Sequence, residues 1–85
     1  MMSRYFFDFR DGQRFMQDDE GVELADLQAV RSEVMNSLPA MAAGEILKNG
    51  DRFDFEMTVR NATGAIMAAS LSFAFNRLSG HEAGQ

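Results

Sequence analysis

From Arg4 to Arg10 the chain alternates, with Tyr5, Phe7 and Phe9 on one side and Arg4, Asp8 and Arg10 on the other. That period of two predicts a half-buried strand. Phe6 breaks the alternation by adding an aromatic ring to the polar side. Asp11 and Gly12 follow as a hairpin signal, because both central positions of a type I′ turn take positive φ. A two-residue loop there sets Met16 beside Phe7 and a three-residue loop sets Phe15 beside Phe9. The residues leave both registers open.

After the acidic stretch Asp18, Asp19, Glu20, apolar residues recur at Leu27, Val30, Val34, Leu38, Met41 and Ile46, with Glu45 beside the last. This spacing is close to 3.6 and describes one helical stripe. Asp26 is placed to accept from the free amides at its start. Asn49 and Gly50 end it, glycine taking the left-handed conformation at low cost. Pro39 lies inside the stripe and removes a backbone hydrogen bond. The stripe keeps phase across Pro39, which predicts one kinked helix and not two.

The segment 52–60 alternates without error, Phe53, Phe55, Met57 and Val59 against Asp54, Glu56, Thr58 and Arg60. It is the clearest strand of the chain. Asn61 to Gly64 reads as a turn with Gly64 at positive φ, leading to a last strand from Ala65 to about Phe75 whose inward set is Met67, Ala69, Leu71 and Phe73. The predicted class is α+β, in the order ββαββ: a four-stranded, mainly antiparallel sheet with one long kinked helix on one face. Residues 1–78 form a single domain, and 79–85, with no side chain larger than those of His81 and Gln85 and no large apolar one, form a mobile tail.

Eighty-five residues allow one small core, and 46% hydrophobic residues with eight Phe and seven Met are enough to fill it. There is no cysteine, hence no disulfide and no thiolate chemistry. The charged residues Arg4, Asp8 and Arg10 argue against a secretory signal, and the longest weakly polar run, 65–75, is about half a membrane span. A cytoplasmic protein with no membrane partner is expected. Thirteen acidic against eight basic side chains, a net charge of −5 without any Lys or Arg run, disfavour nucleic acid.

The opening residues resemble a family. Arg4, Tyr5, Phe6, Phe7, then Asp11, Gly12 and Arg14, then Asp18, Glu20, Gly21, Glu23 and Leu24, then Asp26 and Leu27 follow the pattern RYFF, DG-x-R, D-x-E-G-x-E-L and an Asp-Leu pair at a helix start. They are similar to an uncharacterised family of small bacterial proteins known only as a domain of unknown function. The family usually has His where Asp8 stands and often Pro where Ala25 stands. The resemblance implies a fold and a bacterial cytoplasmic setting, and no activity.

Two surfaces stand out as candidates. Asp18, Asp19, Glu20 and Glu23, with Arg14 nearby, are the residue types that a hard cation or small ligand would use, although the spacing lacks the alternation of an EF-hand loop. A solvated loop entering a helix accounts for the same acids. Phe6, flanked by Arg4, Asp8 and Arg10, would face a sheet side without a second layer, a common place for self-association. Arg4, Arg10 and Arg14 are also placed to pair across strands with Asp8, Asp54 and Glu56. Catalysis is disfavoured, because the one histidine, His81, falls in the tail and no base is positioned near Ser32, Ser37, Ser70 or Ser72. The reading is a non-catalytic interaction module, a homodimer or the binder of a protein partner through a sheet face or edge, with no cofactor. The alternative is a small-ligand or metal-binding protein, or an enzyme, using the acidic loop.

Overall fold

The computed structural model describes residues 2–12, 14–49, 52–76 and 78, with the side chains of 46–49 excepted. Its elements are β1 (Ser3–Asp11), β2 (Arg14–Met16), β3 (Val22–Leu24), α1 (Leu27–Asn49), β4 (Arg52–Asn61) and β5 (Gly64–Ala74). All strand pairs are antiparallel, in the order β2-β1-β4-β5, with β3 also paired to β1. One helix on an antiparallel sheet is the α+β class that the periodicities predict. The sheet has one strand more than the four expected.

The extra strand explains the resemblance pattern. β2 pairs Phe9 with Met16, and β3 pairs Tyr5 with Val22. The edge chain therefore advances six residues while β1 advances four. The two surplus residues loop out between the segments, and because two is one full period of a strand, Val22 and Leu24 return on the same face as Met16. Gly21 makes the return possible: its φ is +73°, and a Cβ there would lie 2.9 Å from Arg4 Cγ, Phe6 Cε2 and the Tyr5 carbonyl oxygen.

The hairpin register differs from both alternatives. Asp11 pairs with Arg14 and Phe9 with Met16, so the pairing closes one residue beyond the Asp11–Gly12 turn that the sequence suggests. Asp11 is held between two strands, pairing Arg14 on one side and Phe55 on the other, and its Oδ1 accepts the Arg14 N–H at 3.0 Å. It is thus a strand residue, and the positive φ, +74°, falls on Gly12. One residue of displacement puts Phe15 opposite Arg10 on the face away from the helix.

The helix is one continuous element through Pro39. Proline there leaves the Met35 carbonyl without its usual donor. Met35 and Pro39 are both exposed, so water can serve that carbonyl. At the start, Asp26 Oδ1 accepts from Ala29 N at 2.8 Å, the cap expected from sequence. Gly50, expected to close the other end, lies outside the described residues, as does the tail 79–85.

Val30, Val34, Leu38 and Ala42 project from α1 onto Tyr5 and Phe9 of β1 and Phe55, Met57 and Val59 of β4, and these nine apolar residues are the buried core. Phe55 stacks between Phe9 and Phe53, each at 5.8 Å between centroids. Met67, Ala69 and Leu71 of β5 pack on the core's flank and stay only partly buried, as does Phe73 further along the strand. Leu27, assigned to the buried stripe by its spacing, is 56% exposed at the first turn, ahead of the residues that meet the sheet.

Candidate interaction surface

The face of the sheet away from the helix carries Arg4, Phe6, Asp8 and Arg10 of β1 beside Arg60, Thr58, Glu56 and Asp54 of β4. Asp8 is its organising residue, a carboxylate only 6% exposed. Arg60 Nε donates to Asp8 Oδ2 at 2.6 Å and Nη2 to Oδ1 at 3.2 Å, a two-pronged charge-assisted contact. The same Nη2 donates to the Asp18 carbonyl at 2.9 Å, while Asp18 N donates back to Asp8 Oδ1 at 2.9 Å. Arg60 thereby reaches from β4 across β1 to the loop beyond it. The β4–β5 pairing shifts register beside Arg60, with Ile66 of β5 as the extra residue.

Asp18 closes the arrangement from the loop. Its Oδ2 accepts from Phe7 N at 3.0 Å, and its Oδ1 accepts from Glu20 N and Gly21 N, each at 3.1 Å. The carboxylate thus takes the place of the strand carbonyl that is missing where the edge chain loops away from β1. Burial pushes the Asp8 carboxyl up, but hydrogen bonds from Arg60 and from the Asp18 amide outweigh it and hold the group below the ordinary value of 3.8. Burial acts likewise on Asp18, and the amides of Phe7, Gly21 and Glu20 outweigh it, so this carboxyl too lies low. The hydrogen bond to Asp8 raises Arg60 above its ordinary range. All three groups stay ionised at neutral pH.

Phe6 is not the bare ring that a missing second layer implies. The Arg60 guanidinium carbon lies 4.8 Å from its ring centroid, Gly21 is seated against its edge, and the residue is half-buried. The loop 17–21 and Arg60 together cover that end of the face. The cross-strand pairs also differ from those anticipated. Arg4 donates to the Glu20 carbonyl at 2.7 Å and to Glu23 at 3.2 Å. Arg10 lies over the Phe15 ring at 4.8 Å, and Arg14 pairs with Glu45 of the helix at 3.2 Å. Residue 60, and not residue 4, 10 or 14, takes Asp8, because the register sets Arg60 opposite Phe6 and one step along from Asp8.

The candidate ligand group does not come together as a cation site. Asp18 turns inward onto three amides, Asp19 and Glu20 stay exposed, Glu23 pairs with Arg4, and Arg14 stands at the hairpin against Asp11 and Glu45. Among the described residues no three His, Cys, Asp or Glu side chains are grouped to hold a metal. Ser37 donates to Glu33 at 3.2 Å, Ser70 and Ser72 sit exposed on β5, and His81 lies outside the described residues. The depressions are open: one of about 630 Å³ is lined by residues of mixed charge, Asp11, Arg14, Glu45, Arg52 and Asp54 among them.

The two edges of the sheet differ sharply. One consists of β2 and β3, three residues each, broken by the loop and carrying Arg14 and Glu23. The other is β5, eleven residues, GAIMAASLSFA, without charge or proline, whose register with β4 shifts once, at Ile66 near its start. Its N–H and C=O groups on the side away from β4 meet no strand among the described residues. Sequence reading found β5 but not its place at the edge, which long-range pairing alone decides.

No described helix is long and apolar enough to cross a membrane. Comparison with curated proteins and with solved structures finds no match to this chain. A family model does match, over residues 4–73, spanning β1 through most of β5. With the RYFF strand, the looped acidic edge and the capped helix all inside that match, the chain belongs to the family described as Domain of unknown function (DUF6894).

Proposed function

We propose that this chain is a non-catalytic interaction module of the cytoplasm that binds by accepting an added strand along β5. The observation that carries the reading is the contrast between the edges. Exposed strand edges are templates for pairing, and proteins blunt those they do not use with short strands, charges and interruptions. The β2/β3 edge carries all three devices, whereas β5 offers eleven uncharged residues. Strand addition draws affinity from backbone hydrogen bonds and selectivity from alternate side chains. β5 presents both, with Met67, Leu71 and Phe73 half-buried on one face and Ala68, Ser70 and Ser72 exposed on the other.

Hydrogen exchange of the native assembly, isolated from its own cells, tests the reading. Amides of β5 that point away from β4 are expected to be protected in the assembly and to exchange rapidly after dilution. An assembly in which these amides exchange freely overturns it.

A further inference from the structure

We infer that the strand added to β5 is the β5 of a second copy, running antiparallel about a two-fold axis, so that two sheets join into one. The inference rests on the reading of β5 as a pairing edge, and three observations lead from that edge to this partner.

The first is charge. Each copy carries a net charge of −5, so two copies repel at most orientations. Between Arg60 and Arg77 the chain has no charged residue, and β5 lies wholly within that interval. In a strand paired antiparallel with its own copy only the residue on the two-fold meets itself, but both strands carry the same charges, so a charged side chain near the axis would lie close to its like. β5 meets this condition along its whole length.

The second is the match of faces. When the two-fold passes through a residue, positions of equal parity stand opposite each other. Met67, Ala69, Leu71 and Phe73 of both copies then share the helix-bearing face. These side chains are half-buried at the margin of a core whose buried residues come from α1, β1 and β4, and a second sheet extends their apolar row. On the opposite face Ala68, Ser70, Ser72 and Ala74 are all small.

The third is the ends of the strand. Ile66 near its start is 39% exposed, and Phe75 just past its end is 72% exposed. Antiparallel pairing brings the start of one strand beside the end of the other, so both apolar side chains gain neighbours in a single arrangement.

The test is sedimentation of the purified full chain over a range of concentrations, wild type against Ala68→Lys combined with Ser70→Lys. Both positions are exposed, and a circular dichroism melt checks that the double variant folds. Wild type is expected to sediment as a dimer and the variant as a monomer at low salt, with dimer returning at high salt as the lysine repulsion is screened. A wild-type monomer at every concentration overturns self-pairing. If the wild-type monomer instead captures a different protein that the variant does not, self-pairing falls while strand addition at β5 stands. A dimer unaffected by the two lysines overturns both, because the interface then lies elsewhere.

Discussion

Asp8 and Arg60, 52 positions apart, meet through contacts of 2.6 and 3.2 Å on the face of the sheet away from the helix. The pair joins three elements, since Arg60 also holds the Asp18 carbonyl of the loop between β2 and β3. Removing one partner from such a contact leaves buried polar groups unsatisfied, which costs more than the contact itself contributes. Asp8→Ala is therefore expected to lower the Tm by roughly 5 °C or more, the equivalent of about 1 kcal/mol in a domain of this size. Asp8→Asn, which keeps an acceptor, should lose less. Thermal melts of the two variants check the order.

The same carboxylates set an acid limit on stability. Asp8 and Asp18 lie below 3.8 in the folded chain, so the unfolded chain binds protons first as pH falls. Their contribution is complete above the unfolded value and disappears as pH drops through the folded values. The Tm should be flat, as far as these two groups decide it, from neutrality down to about pH 5 and should fall steeply below pH 4. In Asp8→Asn the neutral-pH Tm is lower and the acid fall shallower. An acid limb of unchanged steepness in that variant would count against the assignment.

Glycines 12 and 21 separate backbone strain from crowding. Both have positive φ, +74° and +73°, but a Cβ at Gly12 meets nothing within 4 Å whereas one at Gly21 meets three atoms at 2.9 Å. Gly12→Ala should cost about 1 kcal/mol of strain alone. Gly21→Ala should cost about 2 to 4 kcal/mol and loosen the loop from Phe6 and Tyr5. Urea unfolding of both variants decides; equal midpoints would mean that the close approach of the loop does not matter.

Pro39 removes a helix hydrogen bond at an exposed position. Pro39→Ala restores a donor to the Met35 carbonyl and is expected to raise stability by about 1 to 2 kcal/mol, less than the full helix penalty because the unfolded chain also gains freedom. Leu38→Ala, one position away but 4% exposed in the core, should lower stability by about 2 to 5 kcal/mol. Opposite signs at adjacent residues are the check, read from denaturant midpoints.

Local period carried much of this fold. The strands at 3–11, 52–61 and 64–74, the helix from Leu27 and its Asp26 cap repeat hydrophobic or capping patterns that each segment contains in full. Such patterns register which residues face a core, and they name one without knowing what lies opposite. The β3 strand, the hairpin register, the Arg60 contact and the edge position of β5 depend instead on which segment pairs with which. Three residues are too few to show a period at Val22–Leu24, and the acids before them read equally well as a solvated loop. Asp8 looks like any outward strand carboxylate until β4 places Arg60 beside it. Phe6 was legible as an aromatic on the wrong face, but its cover comes from residues 21 and 60, joined to it only by the folded chain. Periodicity is a property of one segment and therefore visible in it, whereas register and edge are properties of pairs, set by the free energy of the whole sheet.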